Sequence, residues 1–453
     1  MENFSVPYPD KICCIGAGYV GVPTMVMIAV KCPWLTITVV DIDVLRISSW
    51  NSDTLPLYEP GLYDKLILCR NVNLFFSSDI PSALDSASIV FVCVNTPTKQ
   101  GGVGAGRAVD LGPWEMAGRA IGESTGNKII VEKSTVPVRT AETLNRVLKT
   151  SKSKFCILSN PEFLAEGSAM GDLEFPDRVL IGGHSEYAIN ILVDIYSTWV
   201  PSERIVTTNL WSAELGKLVA NAFLAQRVSS INSVALLCER TGAEIDQVAI
   251  AIGTDSRIGS KFLTPSVGFG GSCFRKDILS LVYLCEQLGG LQPVADYWNA
   301  VLLMNEFRKF DFASQITSAM FGNLRGKKIA VLGFAFKKNT CDTRESPAIS
   351  ICQHLALEGA DLHVYDPQVT SFGDLKFSVS VESAVSDSHA IVILTEWDEF
   401  KLLPFDELFV NMRKPAFVFD GRNILNHKQL EKIGFIVHTI GSAPNTYVPP
   451  YGG

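Results

Sequence analysis

Residues 11–43 read KICCIGAGYVGVPTMVMIAVKCPWLTITVVDID, and their pattern decides the fold. Ile12–Ile15 is a short, wholly apolar run, the signature of a strand buried on both faces. Gly16, Gly18 and Gly21 follow at once and open a helical apolar pattern, after which a second apolar run ends at Asp41. Strand, glycine turn, helix and acid-tipped strand make a β-α-β unit of a parallel sheet. The first glycine permits the tight turn, the second lets backbone approach a diphosphate, and the third allows close helix–strand packing. Phosphate charge then sits at the helix N-terminus. Asp41, twenty residues past Gly21, suits a ribose hydroxyl and repels a 2′-phosphate, which favours NAD over NADP. Arg46 close by softens that discrimination. A bare glycine fingerprint occurs often by chance, and a turn that binds no dinucleotide is the competing reading.

The same grammar returns in KKIAVLGFAFKKNT (327–340) followed by ISICQHLALEGADLHVYDP (349–367). Here only Gly333 remains, and bulky Phe334 and Phe336 would keep a dinucleotide backbone away. Lys337 and Lys338 at that turn suit another phosphate-bearing ligand, or are two solvated lysines. Further buried strands read out of ASIVFVCVNTP, KIIVEKSTVP, FCILSNPEF and RVLIGG after the first unit, and AIVILTEW and AFVFDGRN after the second. The middle is helical. Residues 212–241 form a helix capped by Ser212 with an early Glu214 and ended by Gly242, and a second helix spans about Pro293 to Met320. The expected architecture is α/β, two doubly wound Rossmann-like domains joined by a helical central domain. The expected boundaries are 1–211, 212–322 and 323–453.

At 453 residues the chain exceeds one hydrophobic core. It is 47% hydrophobic and 19% charged, ordinary for a packed protein. A net charge of −8 with no basic block argues against a nucleic-acid partner. No apolar run is long enough to span a bilayer, so no membrane partner is expected, and MENFSVPYPDK has no secretory pattern. Eleven scattered cysteines lack CxxC or zinc-ligand spacing. Free thiols in a reducing cytoplasm and no metal site are expected.

Two constellations carry chemistry. Lys217 and Asn221, four apart, share one helix face among apolar neighbours. A lysine there either snorkels to water or faces a cleft, where desolvation makes it a usable proton-transfer or oxyanion-stabilising group. The pair resembles that of 6-phosphogluconate and 3-hydroxyacid dehydrogenases. Ten of the eleven cysteines read as buried small hydrophobes. Cys273, in VGFGGSCFRKD (267–277), differs. Glycines before it leave room for a ligand, and helical periodicity after it sets Cys273 just ahead of a helix N-terminus. That end, with Arg275 and Lys276, favours a thiolate; Asp277 could orient a lysine or water. A thiolate beside NAD can add to an aldehyde, so that a second oxidation gives a thioester and then an acid.

Twelve motifs in order resemble those of the UDP- and GDP-sugar dehydrogenase family: GAGYVG, YEPGL, VNTPTK, EKSTVPV, NPEFLAEG, DRVLIGG, NAFLAQR, SRIGSKFL, GFGGSCFRKD, GFAFKK, DTRES and FDGRN. The resemblance covers nearly the whole chain. TNLWSAEL, FLAQR and FDGRN suit UDP-glucose better than GDP-mannose or UDP-N-acetylmannosamine. It implies an NAD-dependent, four-electron oxidoreductase with Cys273 as nucleophile. Lys217 would serve the substrate 6-oxygen, with Asn221 and Asp277 supporting it and a bound water. Glu162 would be general base for thioester hydrolysis, and Thr135 would hold the catalytic water. NAD would contact Gly16, Gly18, Tyr19, Val20, Gly21, Asp41 and Arg46. Val94, Asn95, Thr96, Pro97, Thr98, Ser134, Thr135, Glu166, Lys276 and Arg344 would complete its site. UDP-glucose would lie along Glu162, Phe163, Leu164, Ala165 and Glu166, with Lys217 and Asn221. Thr264, Val267, Gly268, Phe269, Gly270, Phe336, Lys337 and Arg422 would hold it further. Arg257 would reach a neighbouring subunit's substrate, which implies a homo-oligomer of at least two chains, up to a hexamer, in contact through the central helices.

Asn339 and Cys341 depart from the family pattern, in which an aspartate and a glycine are expected, and unsettle the placement of Arg344. Gly216 inside a helix costs roughly 1 kcal/mol relative to alanine. The tail SAPNTYVPPYGG is expected to lack order. Two rivals stay open. One is a two-electron dehydrogenase that needs only Lys217 and Asn221. The other is a paralogue that binds a nucleotide sugar without turnover, suggested by the altered NTCDTRES loop.

Overall fold

A computed structural model describes residues 4–6, 10–148 and 151–443; most of the tail (444–453) and part of the N-terminal stretch (1–3 and 7–9) lie outside the described residues. The chain divides into two compact units, Met1–Ala220 with Leu279–Leu284, and Asn221–Ile278 with Cys285–Gly453.

The first unit is built on eight strands: β1 (Lys11–Ile15), β2 (Thr36–Val40), β3 (Leu74–Ser77), β4 (Ile89–Val92), β5 (Lys128–Glu132), β6 (Phe155–Ser159), β7 (Val179–Gly183) and β8 (Ile205–Thr208). Their order is β3-β2-β1-β4-β5-β6-β7-β8, and the first six give the 3-2-1-4-5-6 order of a dinucleotide-binding sheet. Ile12 and Cys14 of β1 join one core, with Ile89 and Phe91 of β4, while Cys13 and Ile15 join another with Val90 and Val92. Period-two alternation with both faces apolar is why these strands read as unbroken hydrophobic runs.

Two strands depart from the parallel expectation. β6 and β7 pair antiparallel, Leu158 opposite Gly183, so β7 and β8 run against the rest. A parallel return needs a crossover helix, but the Asn160–Arg178 connection is mostly loop, with only Ala169–Glu174 helical.

The second unit carries β9 (Lys328–Leu332), β10 (Asp361–Tyr365), β11 (Lys376–Phe377), β12 (Ala390–Ile393), β13 (Phe417–Asp420) and β14 (Ile436–Thr439). The order β11-β10-β9-β12-β13-β14, parallel throughout, again reads 3-2-1-4-5-6. Between the sheets in sequence stand helices Leu210–Thr241, Ile245–Gly253, Phe274–Leu288 and Gln292–Ala319.

The Leu210–Thr241 helix starts earlier than its sequence suggests. Asn209, not Ser212, supplies the cap, its Oδ1 accepting the Ser212 N–H at 2.8 Å. Glu214 instead caps another helix, accepting the Arg139 and Ala141 N–H groups at 2.7 and 3.1 Å. Gly242 ends the helix as expected, at φ +79°.

Candidate active site

In the first unit the three glycines of the turn have different surroundings. Gly16 stands at φ +108°, and a Cβ there would lie 2.5 Å from the Cys93 carbonyl oxygen. A Cβ on Gly21 would overlap the Gly16 carbonyl oxygen, whereas one on Gly18 meets no heavy atom within 4 Å. Gly16 and Gly21 are therefore glycines for packing. Gly18 leaves open backbone at the N-terminus of helix Gly21–Lys31, a cradle that fits a dinucleotide diphosphate. Val20 is the N-cap residue of that helix. Asp41 Oδ2 accepts the Ala17 N–H at 2.8 Å and lies 3.4 Å from Arg46 Nη1. The acid that would take the ribose thus also ties the turn to the end of β2.

The loops after β4 and β5 are stitched together. Thr96 Oγ1 donates to the Thr135 carbonyl at 2.8 Å, and Ser134 Oγ donates to the Val94 carbonyl at 2.7 Å. This places Val94–Thr98, Ser134 and Thr135 in one layer at the carboxyl ends of the strands, beside the point where strand order reverses. The Tyr19 hydroxyl bonds to Glu59, whose carboxylate accepts the Gly167 and Ala169 N–H groups, each at 2.8 Å. Glu59 therefore joins the glycine turn to the loop that carries Glu162–Glu166.

Glu162 is buried, with Oε2 accepting the Leu164 N–H at 2.9 Å and Oε1 lying 3.4 Å from Lys217 Nζ. The Lys217 side chain is 4% exposed, so it does not snorkel to water. Phe163 lies between two cations, its ring centre 5.1 Å from Lys217 Nζ and 3.7 Å from the Arg178 guanidinium. Ala165 N–H donates to Asp172 at 2.9 Å, which fixes the far side of the loop.

In the second unit, Cys273 is the half-buried N-cap residue of helix Phe274–Leu288, 3.5 Å from the Ser272 hydroxyl. Asp277, wholly buried in the first turn, accepts from Asn221 Nδ2 at 2.6 Å and pairs with Lys276 at 3.3 Å. Arg275 lies 3.5 Å from Glu345.

The glycines before Cys273 do not leave ligand room, contrary to expectation. A Cβ on Gly268 would lie 2.8 Å from Asn305 Oδ1, on Gly270 2.5 Å from the Glu345 carbonyl oxygen, and on Gly271 2.9 Å from the Phe336 ring. They let other chain segments press directly on the loop. Val267 and Phe269 are buried too; Val267 donates its N–H to the Gly421 carbonyl, and Asn305 clasps the Phe269 backbone on both sides. Thr264 is exposed.

Arg422, Phe336 and Lys337 come together: the Arg422 guanidinium donates to the Leu394 and Phe336 carbonyls at 2.7 and 3.1 Å. Lys337 Nζ stands 5.8 Å from the Phe336 ring centre. Arg344 makes a fork onto Asp342, and its carbonyl accepts the Gly271 N–H. Asn339, not Cys341, takes the left-handed conformation in that loop, at φ +63°. Arg257 is exposed and paired with Asp255.

Among the described residues no disulfide joins any of the eleven cysteines, but their thiols are not alike. Burial pushes Cys13 and Cys352 up to about 12 and Cys69 to about 11, which leaves them inert at neutral pH. The expectation of ten buried cysteines is corrected by Cys341, which is exposed, and Cys156, which is half-buried. Among the described residues no three His, Cys, Asp or Glu side chains group to hold a metal, and no helix is long and apolar enough to cross a membrane.

Sequence reasoning missed Glu59, Lys133 and Asp420. Asp420 accepts from the Ile424 and Leu425 backbone N–H groups and His427, which orders the loop that bears Arg422. Each lies inside a motif already picked out, but a buried acid that accepts main-chain hydrogen bonds has no local sequence signature.

Three family models match the chain in order, all of the UDP-glucose/GDP-mannose dehydrogenase family: the NAD binding domain over 10–200, the central domain over 211–307 and the UDP binding domain over 330–427. The chain is 57% identical to UDP-glucose 6-dehydrogenase 3 of Arabidopsis thaliana, over 95% of this chain and 97% of the relative. It is 55% identical to UDP-glucose 6-dehydrogenase 1 of Glycine max, with the same coverage. Among solved structures, a UDP-glucose dehydrogenase from the archaeon Pyrobaculum islandicum superposes with a TM-score of 0.85 at 30% identity, over 96% of this chain and 98% of the other.

Proposed function

The chain belongs to the UDP-glucose/GDP-mannose dehydrogenase family, and on that premise we propose that it oxidises UDP-glucose to UDP-glucuronate through a covalent intermediate on Cys273. UDP-glucose, two NAD⁺ and water give UDP-glucuronate, two NADH and protons. Bound NAD supplies the hydride acceptor in each oxidation. Lys217, buried against Glu162, takes part in removing the 6-hydroxyl proton and steadies the oxygen as its charge changes. The Cys273 sulfur adds to the resulting aldehyde carbon to give a thiohemiacetal, whose second oxidation leaves a thioester. Glu162 draws a proton from water held by Thr135, and that water attacks the thioester carbon and releases the thiol. Asn221 and Asp277, joined at 2.6 Å, orient the polar groups around the reacting oxygen.

The carrying observation is Cys273 itself, a half-buried thiol at a helix N-terminus in a chain whose Cys13, Cys69 and Cys352 thiols are buried and pushed far up. We assign 1–211 to NAD, 212–322 to self-association and 323–453 to the UDP moiety. Exposed Leu303, Phe307 and Phe310, at helical spacing on Gln292–Ala319, support a homo-oligomer formed through that helix. Cysteines that form no disulfide among the described residues support a reducing, cytosolic setting.

Counting NADH per UDP-glucose consumed tests the reading. Two are expected, and at most one from Cys273→Ala, in which no thiohemiacetal forms for the second oxidation. A ratio of one favours a two-electron dehydrogenase, and no NADH from the intact chain favours a binding paralogue. A panel of other nucleotide sugars tests selectivity in the same assay.

A further inference from the structure

The motif Glu132-Lys133-Ser134-Thr135 gives Ser134 and Thr135 a task and leaves Lys133 without one. Its ammonium is buried, a costly place for a charge without compensation. Nζ donates to Asn160 Oδ1 at 3.0 Å and to Tyr196 Oη at 3.3 Å, and Tyr196 Oη donates to the same Asn160 oxygen at 2.8 Å. Asn160 is held from its other sides as well, its N–H on the Glu132 carbonyl at 2.9 Å and its Nδ2 on the Leu180 carbonyl at 2.8 Å. It stands two residues before Glu162. Lys133, Asn160, Glu162 and Tyr196 line one cavity of about 120 Å³.

The direct partners of this ammonium are neutral, since burial raises the Tyr196 phenol well above its ordinary value and an asparagine carries no charge. Burial pushes Lys133 itself down to about 8, and the charge of Glu162 is the largest influence that holds it up. That attraction is mutual, so the two side chains hold each other's charges in one cavity. Lys217, on helix Leu210–Thr241, faces the same carboxylate, and its charge works against Lys133. Cys93 after β4 and Cys14 on β1 also bear on the ammonium, and Asp172 and Arg178 border the cavity. Lys217 must exchange a proton during the oxidations. Were it the sole cation beside Glu162, the strength of the base would change with each exchange.

Resting on the reading of Glu162 as the base, we propose that Lys133 is a positioning residue for thioester hydrolysis: it fixes the Asn160–Glu162 turn through Asn160 and supplies a positive charge beside Glu162 that is independent of Lys217. Lys133→Met removes the charge while keeping length and apolar stem. The first NADH burst then keeps its wild-type rate, thioester hydrolysis slows, and the acid limb of its pH profile moves up by about one unit. Lys133→Arg returns the limb toward wild type.

A merely structural lysine would lower Tm and leave the limb in place, which overturns the proposal. Should Lys133→Met fail to fold, Asn160→Asp neutralises the same ammonium from its contact side and is expected to move the limb the same way; an unmoved limb again overturns it. Glu162→Gln, run alongside, separates the two claims. If it hydrolyses thioester at the wild-type rate, both fall; if it stalls while the Lys133 variants keep the wild-type limb, the Lys133 proposal alone falls.

Discussion

Alanine placed at Gly18 and at Gly21, one at a time, should divide the glycine turn into its two physical jobs. At Gly21 the added methyl overlaps the Gly16 carbonyl oxygen and lies 3.2 Å from Cys14 Sγ. The carbonyl belongs to a residue locked at φ +108° between β1 and the Cys93 backbone, so it has little room to retreat. Overpacking of this kind costs up to about 3 kcal/mol, and alanine's better helical preference returns roughly 1 kcal/mol. The remainder, about 2 kcal/mol, corresponds to about 4–8 °C of Tm for a unit of this size.

At Gly18 the methyl enters open space, so Tm should hold or rise slightly. The same methyl, however, stands where a diphosphate would approach, and NAD affinity should fall at least about tenfold, or about 1.4 kcal/mol. Thermal melts without cofactor and calorimetric titration with NAD read the two effects separately. Gly18→Ala that melts as low as Gly21→Ala, or binds NAD like the wild type, would refute the division of labour.

Two further outcomes follow from packing and burial. Gly216→Ala should raise stability by up to about 1 kcal/mol, because its Cβ meets only Leu180 Cδ2 at 3.5 Å; a lowered Tm contradicts this. Burial first, then the charge of Glu214, raises the Glu132 carboxyl well above its ordinary 4.5. Its contribution to stability is therefore whole below that value and is lost as pH rises toward the folded one. Glu132→Gln should remove that slope, so Tm curves of variant and wild type should diverge with rising pH; parallel curves would show that the carboxyl does not control it.

The sheets were legible because their strands are buried on both faces and so appear as apolar runs, and because Gly16, Gly18 and Gly21 sit at fixed offsets after β1. The reversal of β7 was not, since nothing in RVLIGG encodes direction; it depends on how the preceding loop is spent. Ser212 and Glu214 looked like a local cap because the sequence does not reveal that Arg139 and Ala141 lie within reach of Glu214. Gly268, Gly270 and Gly271 were misread for the same reason: a glycine that spares a ligand and one that admits Asn305, Glu345 or Phe336 look identical in a sequence. Lys217 could be placed on a helix face but not in contact with Glu162, a tertiary fact, and nothing in KIIVEKSTVP sets Lys133 apart.

The most direct test concerns the sulfur of Cys273. Glu162→Gln, mixed with UDP-glucose and NAD and quenched in acid, should yield a Cys273 peptide heavier by one UDP-glucuronyl group. Hydroxylamine should discharge that mass as a hydroxamate, and no such peptide should form when position 273 is alanine. Two NADH per sugar from Cys273→Ala would mean that the aldehyde is oxidised without ever being bonded to the thiol.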